Sequence, residues 1–424
     1  MNNTKPKILL VLSRSLSSSD GGREALIIDF IKRMHAYFDI STAVFNSKSE
    51  PDQEIIANHK KLGVTSTLIL HKTSLGSIAR NLLTLNGAIQ EAFFFSKDNL
   101  LIIEKFVRSE NISAVYFDMI RLFRYAEEIN KRTSAKIIFD LDDLLSLRYE
   151  LFSKTTLTPR QVFGTYGDFI PKIFTNILIG KVLPYILRYE AKMCRLREKA
   201  VAEFSDIILI TSPSEKSTYQ EFTSRQHNIF TNFPIISAKE LSLPLDSAGE
   251  KELVWLGNNH VAHNMEALEH LISRILPKAK GFSLIVAGKT PHHFVERHQN
   301  NEMVSFVGFI PCKDSFFRPG KILISPFKFG TGIKIKLLEA MSAGVAVITN
   351  DTGFQGIPKD NNIFFAPCSS DEEMIERASK LASSQNYISD WIREQQSTLK
   401  THFSHSHEKD IFLAISDNSI ERTS

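Results

Sequence analysis

Short apolar runs rich in β-branched residues recur along the chain between amphipathic stretches, an alternation that predicts buried parallel strands covered by helices. In the first half they are KILLVL at 7–12, ISTAVF at 40–45, AVYF at 114–117, KIIF at 136–139 and IILIT at 207–211. An irregular, Pro-containing segment follows, and the alternation restarts with LVWL at 253–256, SLIVA at 283–287, VSFV at 304–307, KILIS at 321–325 and VAVIT at 345–349. The pattern predicts two Rossmann-like, doubly wound α/β domains, at 1–235 and 251–400, joined by a linker at 236–250 and followed by a tail at 401–424. Ligands of open parallel sheets sit beyond the carboxyl ends of the strands, so the two domains are expected to face each other across a cleft lined by those ends.

Composition narrows the field. A chain of 424 residues with 43% apolar and 23% charged residues can fill two such cores, which excludes extended disorder. Its 51 basic and 47 acidic residues leave a formal charge of +4, too little to imply a nucleic-acid partner without a basic stripe. Cys194, Cys312 and Cys368 form no CxxC pair and fit reduced thiols in a cytoplasmic protein. The first apolar run ends at Ser13 and Arg14, too short for a signal-peptide core. The most membrane-like stretch, 169–187, is broken by Pro171, Lys172, Asn176, Lys181 and Pro184, so it is not expected to span a bilayer. No histidine, His260 and His263 included, combines with other ligands at zinc spacing, and no metal site is expected.

The densest chemistry lies in ILISPFKFGTGIKIKLLEAMSAGVAVITN, 322–350. It reads as a strand, a loop holding Gly330, Thr331 and Gly332, a helix over about 333–343 capped by Gly344, and a second strand. A Gly-rich loop ahead of a helix N-terminus suits a diphosphate, because backbone amides and the helix dipole both favour an anion there. Lys334 and Lys336 stand in the first turn, where a cation opposes the dipole, and that mismatch itself points to a bound phosphate. Glu339 shares their helical face and could accept hydrogen bonds from the two hydroxyls of a ribose, although a Lys-Glu pair taken alone is more often a surface ion pair.

The segment SPFKFGTGIKIKLLEAMSAGVAVIT resembles the donor-binding signature of the GT-B glycosyltransferases, in particular glycosyltransferase family 4, the glycosyl transferases group 1. WLGNNHVAHNMEALEHL and SLIVAGK stand where that family opens its second domain, and SDGGREA, FDLDD and DIILITSPSE match its first domain more loosely. The resemblance implies that Glu339 contacts the nucleotide ribose while Lys334 and Lys336 face the diphosphate, with Gly257 at the end of a strand beside them. Two departures stand out: Thr331 replaces a Glu that many members use on the donor sugar, and Asn258, Asn259 and His260 replace an Arg-x4-Lys clamp.

In the first domain, Gly21 and Gly22 at a helix start resemble the family's loop facing donor and acceptor, or form a plain turn. Asp118 follows a strand and is, with Lys334 of the second domain, a candidate catalytic residue; Arg121 and Arg124 are candidate acceptor-side groups. Asp140, Asp142 and Asp143 could hold a divalent cation, but the resemblance requires none and leaves Asp142 an acceptor-side or structural role. Arg188, Lys192, Arg195 and Lys199 make a basic helical stripe, read equally as a solvated face or as peripheral contact with anionic lipid at the inner face of a membrane.

The implied activity is transfer of a sugar from a nucleotide-sugar to a glycan or lipid-linked acceptor in cell-surface polysaccharide or lipopolysaccharide assembly, retaining and without cofactor or metal. A sugar-nucleotide epimerase and a non-catalytic sugar-nucleotide-binding partner are the alternatives. A dinucleotide-dependent dehydrogenase is set aside, since SRSLSSSDGG stands where a GxGxxG loop would.

Overall fold

The computed structural model describes residues 5–16, 22–46, 50–84, 87–154, 179–233, 236, 245, 247–310, 313–330, 332–358, 365–403 and 408–417. These divide into a first compact unit, 5–154 with 184–233 and 408–417, and a second, 179–183 with 236–403. The described part of the expected linker, residues 247–250 and 245, belongs to the second unit: Gly249 N–H donates to Leu381 O at 2.8 Å and Leu245 N–H to Ser389 Oγ at 3.0 Å.

The first unit is built on parallel strands β1 (Lys7–Leu12), β2 (Asp39–Phe45), β3 (Ser66–Leu70), β4 (Ala114–Asp118), β5 (Lys136–Asp142), β6 (Ile207–Ile210) and β7 (Ile229–Thr231), in the order 3-2-1-4-5-6-7. Every residue from Ile8 to Leu12 is buried, as in a strand covered on both faces, which is why the central runs are continuously apolar. Connecting helices are α1 (Gly22–Met34), α2 (Asp52–Lys61), α3 (Leu75–Thr84), α4 (Ile89–Phe94), α5 (Lys97–Ser109), α6 (Phe123–Arg132), α7 (Leu145–Ser153), α8 (Ile179–Phe204) and α9 (Pro213–Thr223).

The inner face of α8 fastens its neighbours. Glu190 accepts from the amides of Ile89 at 2.6 Å and Gln90 at 3.3 Å and so caps α4, Arg197 pairs with Glu91 at 2.8 Å, and Glu198 accepts from the Ser146 amide at 2.9 Å. Among the described residues no helix is long and apolar enough to cross a membrane.

The second unit holds parallel strands β8 (Glu252–Leu256), β9 (Ser283–Ala287), β10 (Val304–Gly308), β11 (Ile322–Ser325) and β12 (Ala346–Thr349), in the order 10-9-8-11-12. Its helices are α10 (Ala262–His270), α11 (His292–His298), α12 (Lys313–Phe316), α13 (Ile335–Ser342), α14 (Asp351–Phe354), α15 (Asp371–Ser383) and α16 (Gln385–His402). All ten predicted strands form. The two additional ones, β3 and β7, are the edges of the first sheet. In each sheet the order reverses beside the unit's first strand, between β1 and β4 and between β8 and β11, and these reversals create the crevices where ligands of such folds bind.

After α16 the chain supplies α17 (Glu408–Ser416) to the first unit. Ile411, Phe412 and Ile415 join that core, with the Phe412 ring centroid 5.6 Å from Phe30 and 4.9 Å from Tyr37. Phe412→Ala is expected to destabilise the first unit by about 3–5 kcal/mol, the usual cost of removing a buried phenylalanine. Both tryptophans, Trp255 and Trp391, lie in the second unit, so circular dichroism in denaturant should show an earlier first transition while the tryptophan fluorescence midpoint stays put.

Candidate functional site

The switch point of the second unit gathers the residues of the Gly-rich segment. β11 ends at Ser325, whose carbonyl accepts from Thr349 Oγ1 at 2.6 Å, and Asn350 Nδ2 donates to Phe327 O at 2.7 Å, so the end of β12 fixes the loop that leads to α13. Gly330 has φ +143, and a Cβ there would stand 3.3 Å from Lys334 Cε; only glycine takes that backbone so close to the lysine. Thr331 and Gly21 lie outside the described residues. Gly332, at φ 70, accepts from Lys334 Nζ at 2.8 Å through its carbonyl. Helix α13 begins with Lys334 at its N-cap, a residue whose side chain cannot accept a hydrogen bond, and has no acidic residue in its first turn. Its N-terminal dipole is therefore left for an anion.

Lys336 is the centre of the site. Its ammonium donates to Asn264 Oδ1 at 3.0 Å and sits 3.9 Å from the Trp255 ring centroid and 4.9 Å from that of Phe327. The Lys334 ammonium is 5.7 Å from the same Phe327 ring. Burial pushes the Lys336 ammonium well below the ordinary lysine value of 10.5, and the neighbouring Lys334 charge pushes the same way. Among the described residues no carboxylate pairs with Lys336. Ring faces and one amide oxygen stabilise a cation only in part, so this charge can still accept an anion.

Gly257, just beyond β8, lies close against Lys336, since a Cβ on it would stand 3.3 Å from Lys336 Nζ. The replaced clamp has its own use: Asn259 accepts from Trp255 Nε1 at 2.9 Å and donates to Thr290 Oγ1 at 2.9 Å, which locks the indole under Lys336. Asn264 is oriented by its donation to Asn258 O at 3.0 Å. Trp255, Asn264 and Phe327 were not legible as site residues, because their role depends on β8, α10 and β11 converging.

The surface ion pair that Lys336 and Glu339 could have made is not formed. Lys336 turns inward to Asn264, and Glu339, one turn along, is paired with Lys313 at 2.7 Å with 28% of its side chain exposed. Glu339 thus remains partly exposed with one carboxylate oxygen engaged.

At the switch point of the first unit lies a different arrangement. Gly22 opens α1, and Arg23 in its first turn reaches over the strand ends with only 8% of its side chain exposed. Its guanidinium binds Asp118 Oδ1 at 2.8 Å, Asp140 Oδ2 at 3.1 Å, Asp142 Oδ1 at 3.2 Å and the Tyr116 hydroxyl oxygen at 3.2 Å. Ser13 Oγ donates to Asp118 at 2.7 Å, Tyr116 OH to Asp140 at 2.6 Å and Thr211 Oγ1 to Asp142 at 3.1 Å. Burial alone would raise the Asp118 carboxyl, but Arg23, Arg14, Ser13 and Arg121 overturn it and hold it at about 2. Asp140 is driven the other way, upward, because burial dominates there.

Asp118, expected as an open catalytic group, is fully buried with both oxygens engaged, because the first turn of α1 lays Arg23 across it. Of the three aspartates at the carboxyl end of β5, Asp143 turns away to Arg148. Asp142, at φ 62 and 20% exposed, is the carboxylate of this network nearest solvent. Arg121 and Arg124 lie over the rings of Phe94 and Phe95, the latter at 3.7 Å, so packing against α4 holds them instead of the strand-end crevice. Arg23 carried a signal that went unread, a cation in the first turn of a helix, the same mismatch that marked α13.

Comparison with known proteins bears on the fold and on the second unit. Residues 250–384 match the family described as Glycosyl transferases group 1. Among solved structures the chain is similar to Anabaena Alr3699/HepE in complex with UDP and glucose, at 11% identity and a TM-score of 0.61, covering 97% of this chain and 99% of that one. It is also similar to an S. aureus TarM mutant in complex with Fondaparinux, alpha-GlcNAc-glycerol and UDP, at 10% identity and 0.63, covering 96% and 99%. A third is the lipopolysaccharide outer core galactosyltransferase WaaB, at 13% identity and 0.58, covering 97% and 99%. At these identities the likeness is one of fold, and the fold is GT-B. No curated protein matches the chain.

Substitutions at two positions test the opposite electrostatics of the two switch points. Lys336 binds fewer protons folded than unfolded between its lowered value and 10.5, so stability rises with pH across that window and is fully present above 10.5. Lys336→Met should remove that slope and raise stability near neutral pH by about 1 kcal/mol, since an uncompensated charge gives way to an apolar isostere; urea unfolding followed by tryptophan fluorescence reads it. Arg23→Met should cost about 3–5 kcal/mol by stranding the buried carboxylates. It should also raise the acid-unfolding midpoint, because the roughly 2 kcal/mol from holding Asp118 at about 2 instead of 3.8, present above 3.8 and lost as pH falls through about 2, would vanish. Arg23→Lys should not restore it, since a point charge cannot span three carboxylates.

Proposed function

We propose that this chain, a GT-B glycosyltransferase by its fold and by the Glycosyl transferases group 1 domain in its second unit, moves a sugar from a nucleotide-sugar to a hydroxyl of a glycan or lipid-linked acceptor in cell-surface polysaccharide or lipopolysaccharide assembly. The observation that carries the reading is the half-buried Lys336 ammonium at the α13 N-terminus with no carboxylate partner among the described residues. In this reading the donor diphosphate lies across the α13 N-terminus against Lys334 and Lys336, with Gly257, Gly330 and Gly332 allowing close approach and Thr331 near the sugar. The ribose hydroxyls bind Glu339, which must then share or release Lys313. UDP is the favoured nucleotide, since HepE and TarM are complexes with UDP.

In the proposed retaining step, the bond from the sugar's anomeric carbon to the diphosphate oxygen breaks with its electron pair leaving on the diphosphate. The acceptor oxygen bonds to the same face of that carbon and passes its proton to the departing phosphate oxygen. Charge grows on the diphosphate as that bond breaks, and preorganised cations and amides aimed there lower the barrier without a metal. Asp142 is the acceptor-side carboxylate of this reading, held by Arg23.

The outer face of α8 is the proposed peripheral-membrane contact, at the cytoplasmic side. Arg188, Lys192 and Lys199 are exposed on it, whereas Arg195 is half-buried with its guanidinium 3.9 Å from the Phe222 ring centroid.

The test is thermal unfolding with UDP-, GDP-, ADP- and dTDP-sugars, wild type beside Glu339→Ala, together with release of the nucleotide with and without glycan acceptors. One nucleotide class, UDP in first place, should raise the wild-type midpoint by several degrees through mass action, and Glu339→Ala should abolish the rise. Donor consumption that needs no acceptor would identify an epimerase, and binding without consumption a non-catalytic partner.

A further inference from the structure

Helix α3 has its apolar side facing out. In a helix packed on a soluble core the apolar stripe is buried and the polar face is wet. Here the buried residue is Asn81, 5% exposed, whose Nδ2 donates to the carbonyls of Ala92 at 3.1 Å and Phe95 at 2.9 Å. Leu75 is 74%, Leu82 48% and Leu83 88% exposed, and their spacing of seven and eight residues from Leu75 sets them on one face with Ala79. A side-chain amide tethers this helix, while its leucines contribute little to the core.

Charge selects the occupant. From residue 71 to 89, HKTSLGSIARNLLTLNGAI, there is no aspartate or glutamate, and Arg80 is exposed beside the leucine face. The neighbouring surface continues the theme. Tyr189 OH donates to Gly87 O at 3.3 Å and Glu190 caps α4, so α8 packs beside α4 and the turn before it, and α4 in turn packs on α3. Between Tyr185 and Lys199 that face exposes Arg188, Lys192 and Lys199 with Tyr185 68% and Leu196 50% exposed, while both glutamates of the stretch, Glu190 and Glu198, are buried inward. Exposed leucines flanked by tyrosines and unopposed cations match an anionic bilayer surface: leucines enter the acyl boundary, tyrosines sit at headgroup level and cations meet phosphates.

We infer that α3 is the element that inserts into the bilayer, docking the first unit on an anionic lipid surface with the outer face of α8 as its cationic flank. This deepens the membrane part of the reading above and is independent of the sugar-transfer chemistry. Each of two weak anchors makes the other effective, since apolar burial and electrostatic attraction add.

The experiment is flotation of the full chain with vesicles of phosphatidylcholine alone and with about a third phosphatidylglycerol, in low and high salt. Wild type is expected on the anionic vesicles, weakening in high salt. Leu75→Ser/Leu82→Ser/Leu83→Ser should lose about tenfold or more in partition. Its thermal midpoint and its response to UDP should be unchanged, because the leucines are exposed. Leu83→Trp should show a blue-shifted emission on these vesicles that brominated lipid quenches. Equal partition of the triple serine variant, or vesicle binding without a shift at position 83, would overturn α3 as the inserting element. Absence of vesicle binding with a concentration-dependent mass in light scattering that the serine variant removes would assign the face to a second copy and overturn the proposal. A wild type that floats with no vesicle yet responds to UDP would do so too, while leaving the transferase reading intact.

Discussion

Around one ammonium group, that of Lys336, the second unit arranges an indole, a phenyl ring, an asparagine and a glycine, and among the described residues supplies no carboxylate. A folded chain ordinarily pairs such a half-buried charge with a carboxylate or leaves it in water, because withdrawing an ion from water is costly. Here the surrounding polar groups are spent on holding Trp255 and Asn264 in place beneath the ammonium. The cost of this setting appears as a Lys336 pKa lowered by burial and by the neighbouring Lys334 charge.

The first unit shows what the same motif looks like when it is complete. Both α1 and α13 begin with a basic residue in a first turn at a sheet's switch point, where the dipole disfavours it. Arg23 is met by three aspartates from β4 and β5, so its anion is internal and its role is to hold α1 over the strand ends. Lys336 meets none. One physical mismatch therefore has two resolutions, and only the unresolved one calls for a ligand from outside. Sequence alone could see the mismatch at α13 because a Gly-rich loop precedes it. At α1 the compensating carboxylates lie about a hundred residues away along the chain, at Asp118, Asp140 and Asp142, and nothing local announces their meeting.

The same distinction explains what was legible elsewhere. Central strands such as β1 and β11 are buried on both faces and so appear as unbroken apolar runs. β3 is half-exposed along most of its length and β7 has three residues, so as sheet edges they lack that signature. Direction of burial is the other hidden quantity. The leucines of α3 repeat with a helical period that would fit a core-facing helix, and only the position of Asn81 reveals that the stripe points outward. Asp118 illustrates the converse: a carboxylate after a strand at a switch point can be a reacting group or a keystone, and the arginine above it decides.

Glu339 adds a last constraint on how the second site could work. Its carboxylate is already paired with Lys313, from the segment after β10, so a ribose approaching that oxygen meets an ammonium at 2.7 Å from it. At the half-exposed setting of this pair the attraction is modest and screened, weak enough for two hydroxyls to replace it. A released Lys313 would then stand at the mouth of a pocket holding a doubly charged diphosphate, so the cation lost to Glu339 gains a second anion nearby. Donor binding in this arrangement exchanges one internal ion pair for contacts of the donor with both partners of that pair, and the internal pair keeps the carboxylate ordered in the meantime.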